Sequence, residues 1–240
     1  MSTPSTRDQH TGGIAEAIAA VYNAAEIDPD FETPRIVLLD RLIAAHSLRR
    51  GEIPNLTRQR AMAAIAAMSG QAIGIPEDAD MALAGFLYAW PYRNAVWGCL
   101  LVEQNDIVER RRFSAAHELG HYMLHFRPAI QAEREHGRRL TMAEGLSYHG
   151  QTDDTQAPLP MGASSCARDM DPQYVTLLDN AVQIEDEANQ FAAELLMPEA
   201  ACRALAQHYG GRASPRRLAT EFLVSGAAMR WRLKQLGLAS

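Results

Sequence analysis

The chain has 240 residues, 47% of them hydrophobic and 22% charged, with a formal net charge of −6. That balance excludes a disordered chain and disfavours the whole surface as a nucleic-acid binder. Three cysteines scattered at 99, 166 and 202 form neither a disulfide framework nor a metal-spaced pair, which points to a reducing, cytoplasmic setting.

In chain order, Met1 to Gly13 is polar, with no hydrophobic stretch, and reads as a flexible tail and not a signal peptide. No apolar run approaches the roughly 20 residues of a membrane span. Residues 14–25, 33–46 and 56–69 carry apolar residues at helical spacing, so 14–75 is expected to be a helical region. Asp28-Pro29-Asp30 and Gly51 to Asn55 break it, and no helix-turn-helix recognition segment stands out there. Residues 82–90 and 96–103, divided by Pro91-Tyr92-Arg93-Asn94, predict two strands of an antiparallel hairpin. The second, with Val96, Cys99, Leu100, Leu101 and Val102, is the more apolar. Such a strand can pair an extended peptide along an exposed edge.

His117-Glu118-Leu119-Gly120-His121 follows. Residues four apart share one helix face, so both imidazoles reach one Zn²⁺ at about 2.0–2.1 Å. Glu118 projects beside the metal and can take a proton from water there without being a ligand. Ser114 is placed to cap or open this helix, and Ala115, Ala116, Leu119, Met123 and Leu124 form its apolar stripe. A helical Gly120 costs about 1 kcal/mol relative to Ala, which a closely packed neighbour would explain. Leu124 and Arg127 stand where the metzincin pattern needs Gly and His, so that class is excluded. His125 is turned about 80° from His117 and lies about 12 Å further along the axis, and reads as a helix-end or supporting histidine.

The third ligand must then come from elsewhere. Residues 127–180 are read as an extended insertion; Gln151 to Pro172, rich in Asp, Pro, Gly and Ser, is either a lid or a tolerated loop. Beyond it, Val182 to Met197 has strong helical periodicity, stopped by Pro198. Glu185, Ala188 and Asn189 share one of its faces. Glu185 completes a His₂Glu set, Asn189 can hydrogen-bond a ligating histidine, and Ala188 permits close helix approach. Glu187 is the rival ligand but points about 160–200° from Glu185. Helices are expected at 199–208 and 214–236, broken at Gly210-Gly211. Residues 210–240 hold Arg212, Arg216, Arg217, Arg230, Arg232 and Lys234 against Glu221 alone, a solvated face or a docking patch for DNA or a DNA-binding partner.

The stretches Arg110 to His125, Glu185 to Pro198 and Val224 to Leu238 resemble the ImmA/IrrE family of bacterial and phage metallopeptidases. The likeness spans roughly residues 80–126 and 181–238. It implies an α+β, mainly helical zincin-like domain with a small antiparallel sheet beside the HExxH helix. The core is expected at 76–198, followed by a helical region at 199–240. It also implies a zinc-dependent endopeptidase that cleaves a repressor, usually of helix-turn-helix type, releasing phage, mobile-element or stress-response genes. His117, His121 and Glu185 fall on the ligand positions and Glu118 on the base. The oxyanion donor is left open among Tyr122, Tyr148, His149 and His208. Two other readings remain: a zinc-fold sensor that binds without cutting, and a DNA-binding regulator acting through the basic C-terminal helices.

Overall fold

The computed structural model describes residues 6–69, 80–147, 181–210 and 214–238. Helix α1 (Thr6–Ala24) is followed by α2 (Leu39–Ala44), strand β1 (Leu48–Ile53) and α3 (Arg58–Ser69). Strands β2 (Leu83–Tyr92) and β3 (Ala95–Glu103) form the expected hairpin around Arg93-Asn94. Next come α4 (Val108–His121), a π-helical turn (Tyr122–Phe126), α5 (Arg127–Glu135) and β4 (Met142–Ser147). After 180 the chain is helical: α6 (Ala181–Leu196), α7 (Glu199–His208), α8 (Pro215–Phe222) and α9 (Gly226–Gln235).

The α+β class holds, and the sheet is larger than the hairpin. Its order is β1-β3-β2-β4, with β1 parallel to β3 and the other pairs antiparallel. β3 is therefore an inner strand, and among the described residues the edges of the sheet are β1 and β4. Alternation along β2 serves two cores. Phe86 and Tyr88 join Leu101 and Cys99 against Met62 and Ile65 of α3. Leu87 and Ala89 join Leu100 and Val102 in the larger core, with Leu119 of α4 and Phe191 and Leu195 of α6.

Several boundaries differ from expectation for physical reasons. α1 begins at Thr6, inside the segment read as a tail. The helix expected at 33–46 shrinks to α2, and the charged run after it is β1. As an edge strand, β1 carries Arg50 and Glu52, which pair with Asp40 and Arg111. α4 opens at Val108, after an extended Ile107, so Ser114 lies buried inside the helix and caps nothing. The three arginines of its first turns are tolerated because each guanidinium has a partner: Asp106 (3.0 Å), Glu52 (2.6 Å) and the Val37 carbonyl (3.0 Å). Helicity continues past His125, and the π turn sits just before Pro128, which lacks the N–H that an unbroken α-helix needs. Residues 127–147, assigned to an insertion, thus supply a helix and the fourth strand. The segment proposed as a lid, 151–172, lies outside the described residues, as does Cys166.

The single helix expected at 214–236 is two. Leu223 adopts a left-handed conformation (φ 52°), and Ser225 then caps α9 by accepting from Ala228 N–H at 3.1 Å. Arg232, counted among the basic cluster, faces inward. Its guanidinium pairs with Glu194 and donates to the Met197 carbonyl at 3.0 Å, fastening α9 to the end of α6.

Candidate metal centre

The second half of α4, Ser114 to His121, is buried throughout, and three of its inward groups are His117, Glu118 and His121. Burial of such groups is costly unless they are paired or hold an ion. The two imidazoles sit one turn apart with ring centroids 4.6 Å apart and Nε2 atoms 2.9 Å apart. α6 crosses α4 here and brings Glu185, whose Oε2 lies 3.4 Å from His117 Nε2 and whose Oε1 lies 3.3 Å from His121 Nε2. One ligand atom from each residue falls within 4.8 Å of the others, the one three-residue group of this kind among the described residues.

Close helix contact makes this possible. A Cβ on Gly120 would sit 3.2 Å from Ala188 Cα and 3.1 Å from the Phe191 ring. A side chain at 120 would press on α6 beside Ala188, one turn from Glu185, so α6 would have to give by a few tenths of an ångström. The mid-helix glycine thus suits the tight packing against α6, at the expense of helix propensity.

The donor chemistry fits a divalent ion. Donors about 2.0–2.1 Å from one tetrahedral ion lie about 3.3–3.4 Å apart, close to the two nitrogen–oxygen separations above. His117 Nδ1 donates to Asn189 Oδ1 at 3.0 Å, which leaves the Nε2 lone pair turned toward the cluster. Burial, reinforced by His121, lowers the His117 pKa, so the ring is neutral. Burial pushes the Glu185 carboxyl up, but the facing His117 and His121 outweigh it, and the group stays ionised. A neutral His117 beside an ionised Glu185 matches the protonation states that metal binding requires.

The neighbours sort themselves by geometry. Glu187 stands outside the cluster: it accepts from Gln183 Nε2 at 2.8 Å and lies 3.8 Å from His125 Nε2. His125 packs its ring 5.6 Å from that of His121, and burial, then the proximity of His121, pushes its pKa down to about 3. Tyr122 donates its hydroxyl to the Val96 carbonyl at 2.8 Å inside the core, which removes it from the oxyanion candidates. His208 is exposed at the end of α7 with its ring against Tyr209. Tyr148 and His149 lie outside the described residues. One neighbour had no sequence signal beyond being a glycine in a strand: Gly85 of β2, against which the fully buried Glu118 side chain rests.

No curated protein matches the chain. The Peptidase M78 family model, described as the IrrE N-terminal-like domain, matches residues 78–144 and 176–234. These two segments make up more than half of the chain and contain all the residues gathered at the site, and the chain belongs to the IrrE N-terminal-like peptidase family.

Proposed function

We propose that the protein is a zinc-dependent endopeptidase of the cytoplasm. In this reading it hydrolyses a peptide bond in a helix-turn-helix repressor and switches on phage, mobile-element or stress-response genes. The observation that carries the reading is the buried meeting of His117, His121 and Glu185 from two helices far apart in sequence. Family membership supports peptide hydrolysis as the chemistry.

In this reading His117, His121 and Glu185 hold the ion through two nitrogens and a carboxylate oxygen. Zinc held there supplies Lewis acidity, which acidifies water and polarises a carbonyl. Asn189 keeps His117 in the tautomer that offers Nε2. Glu118 takes the proton from the attacking water on its carboxylate and delivers it to the departing amine nitrogen as the amide C–N bond breaks. Complete burial of Glu118 shields that proton from bulk solvent. Among the described residues nothing pairs with the outer side of β4, so an extended substrate can lie along it, at the level where β4 faces Gly85. No helix of the described residues is long and apolar enough to cross a membrane.

The test is incubation of the zinc-loaded protein with a candidate helix-turn-helix repressor. Cleavage by the natural chain, and none by Glu118→Gln at equal zinc content, is the expected result. Undiminished cleavage by Glu118→Gln removes Glu118 from the proposed mechanism.

A further inference from the structure

We infer that Gly85 is the positioning residue for Glu118, with its missing side chain forming the seat in which the carboxylate rests. The inference rests on the reading of Glu118 as the proton carrier. A Cβ built on Gly85 would lie 2.5 Å from Glu118 Oε1, 3.1 Å from Cγ and 3.2 Å from Cδ. A Cβ essentially never comes as close as 2.5 Å to an oxygen, so either the strand or the side chain would have to move.

The strand is poorly placed to yield. β2 is an inner strand, and Gly85 stands opposite Val102 of β3 on one side and Leu146 of β4 on the other. Glu118 has little room to yield either, its side chain being fully buried. Backbone conformation does not explain the glycine, because Gly85 lies outside the left-handed region that favours it. Space does. The β4 register shifts between Leu83 and Gly85, leaving Ala84 as an extra residue on β2. Such a bulge re-aims the backbone locally and is common beside active sites. Here it comes immediately before the residue that meets the carboxylate. The sheet therefore sets where Glu118 sits, while α4 and α6 set where the metal donors sit.

The test uses four full-length proteins: the natural chain, Gly85→Ala, Glu118→Ala and the double variant. Thermal midpoint and bound zinc are measured for each, and kcat and KM for the first two. Gly85→Ala should lower the midpoint by roughly 5 °C when Glu118 is present and by about 1 °C or less when residue 118 is Ala. It should reduce kcat on the order of 10- to 100-fold with KM within about twofold and zinc content unchanged. If Gly85→Ala alone fails to fold, the double variant should fold. Equal midpoint losses in both backgrounds, or failure of both to fold, overturn the inference. So does a Gly85→Ala protein with natural midpoint and natural kcat. Full activity of Glu118→Gln would defeat the functional reading instead, and the midpoint comparison would still decide whether Gly85 seats the carboxylate.

Discussion

Asn189 does its work through a single hydrogen bond, 3.0 Å from Oδ1 to His117 Nδ1. Losing it frees the imidazole to rotate and to take the other tautomer, with the Nε2 lone pair replaced by a proton. Partners of this kind carry roughly 10- to 100-fold in metal affinity. Asn189→Ala should weaken zinc by that factor in a competition titration against a chelator of known affinity, with secondary structure retained. An unchanged affinity would mean that the amide does nothing for the site. Glu187→Gln provides the contrast: its carboxylate lies beside His125 and outside the donor group, so zinc affinity should stay within about threefold of the natural chain.

At the scale of elements, the site exists because α4 and α6 touch. Gly120→Ala gains up to about 1 kcal/mol of helix propensity but forces a methyl against Ala188 and Phe191, which costs about 1–3 kcal/mol. The net expectation is a lower thermal midpoint together with weaker zinc, because Glu185 rides on the displaced helix; a raised midpoint would contradict the packing argument. A second element contact responds to pH. His46 follows α2, bonds to the backbone of Val21 in α1 and lies near the Arg127 charge on α5. Burial, then Arg127, lowers its pKa against the smaller opposing bond to Val21. As pH falls below about 6.5 the unfolded chain gains a proton that the folded chain refuses, so stability drops, by at most about 1.4 kcal/mol per pH unit. Denaturant unfolding at pH 7.5 and 5.5 should show a smaller acid loss for His46→Gln than for the natural chain; equal losses would exclude His46 as a contributor. Both metal-bearing helices were legible in the sequence because i, i+4 spacing carries its own geometry. β1 and β4 were not: Leu48–Ile53 sets Arg49, Arg50 and Glu52 among six residues with no alternation to read, and Met142–Ser147 is as short. The continuation of α4 was hidden by Pro128, which a π turn accommodates without ending the helix. Gly85 was invisible for another reason: its meaning lies in a residue 33 positions away, and only the folded sheet brings the two together.

At the scale of the whole molecule, a four-stranded sheet and two crossing helices bring together donors separated by 64 residues of chain. The C-terminal helices complete that frame from the other end, where buried Arg232 bonds to Glu194 and to the Met197 carbonyl of the α6 terminus. One of the six cations of that cluster, Arg232, is therefore structural and is not available to a DNA-binding face. The account stands on the three donors gripping one ion. Its most direct test is bound zinc per chain, by elemental analysis after dialysis, for the natural protein and for Glu118→Gln, His117→Ala, His121→Ala and Glu185→Ala. One zinc per chain is expected in the first two and substoichiometric zinc in the last three, all five being folded by circular dichroism. A natural chain that retains no zinc, or a Glu185→Ala variant that retains it fully, would contradict the account.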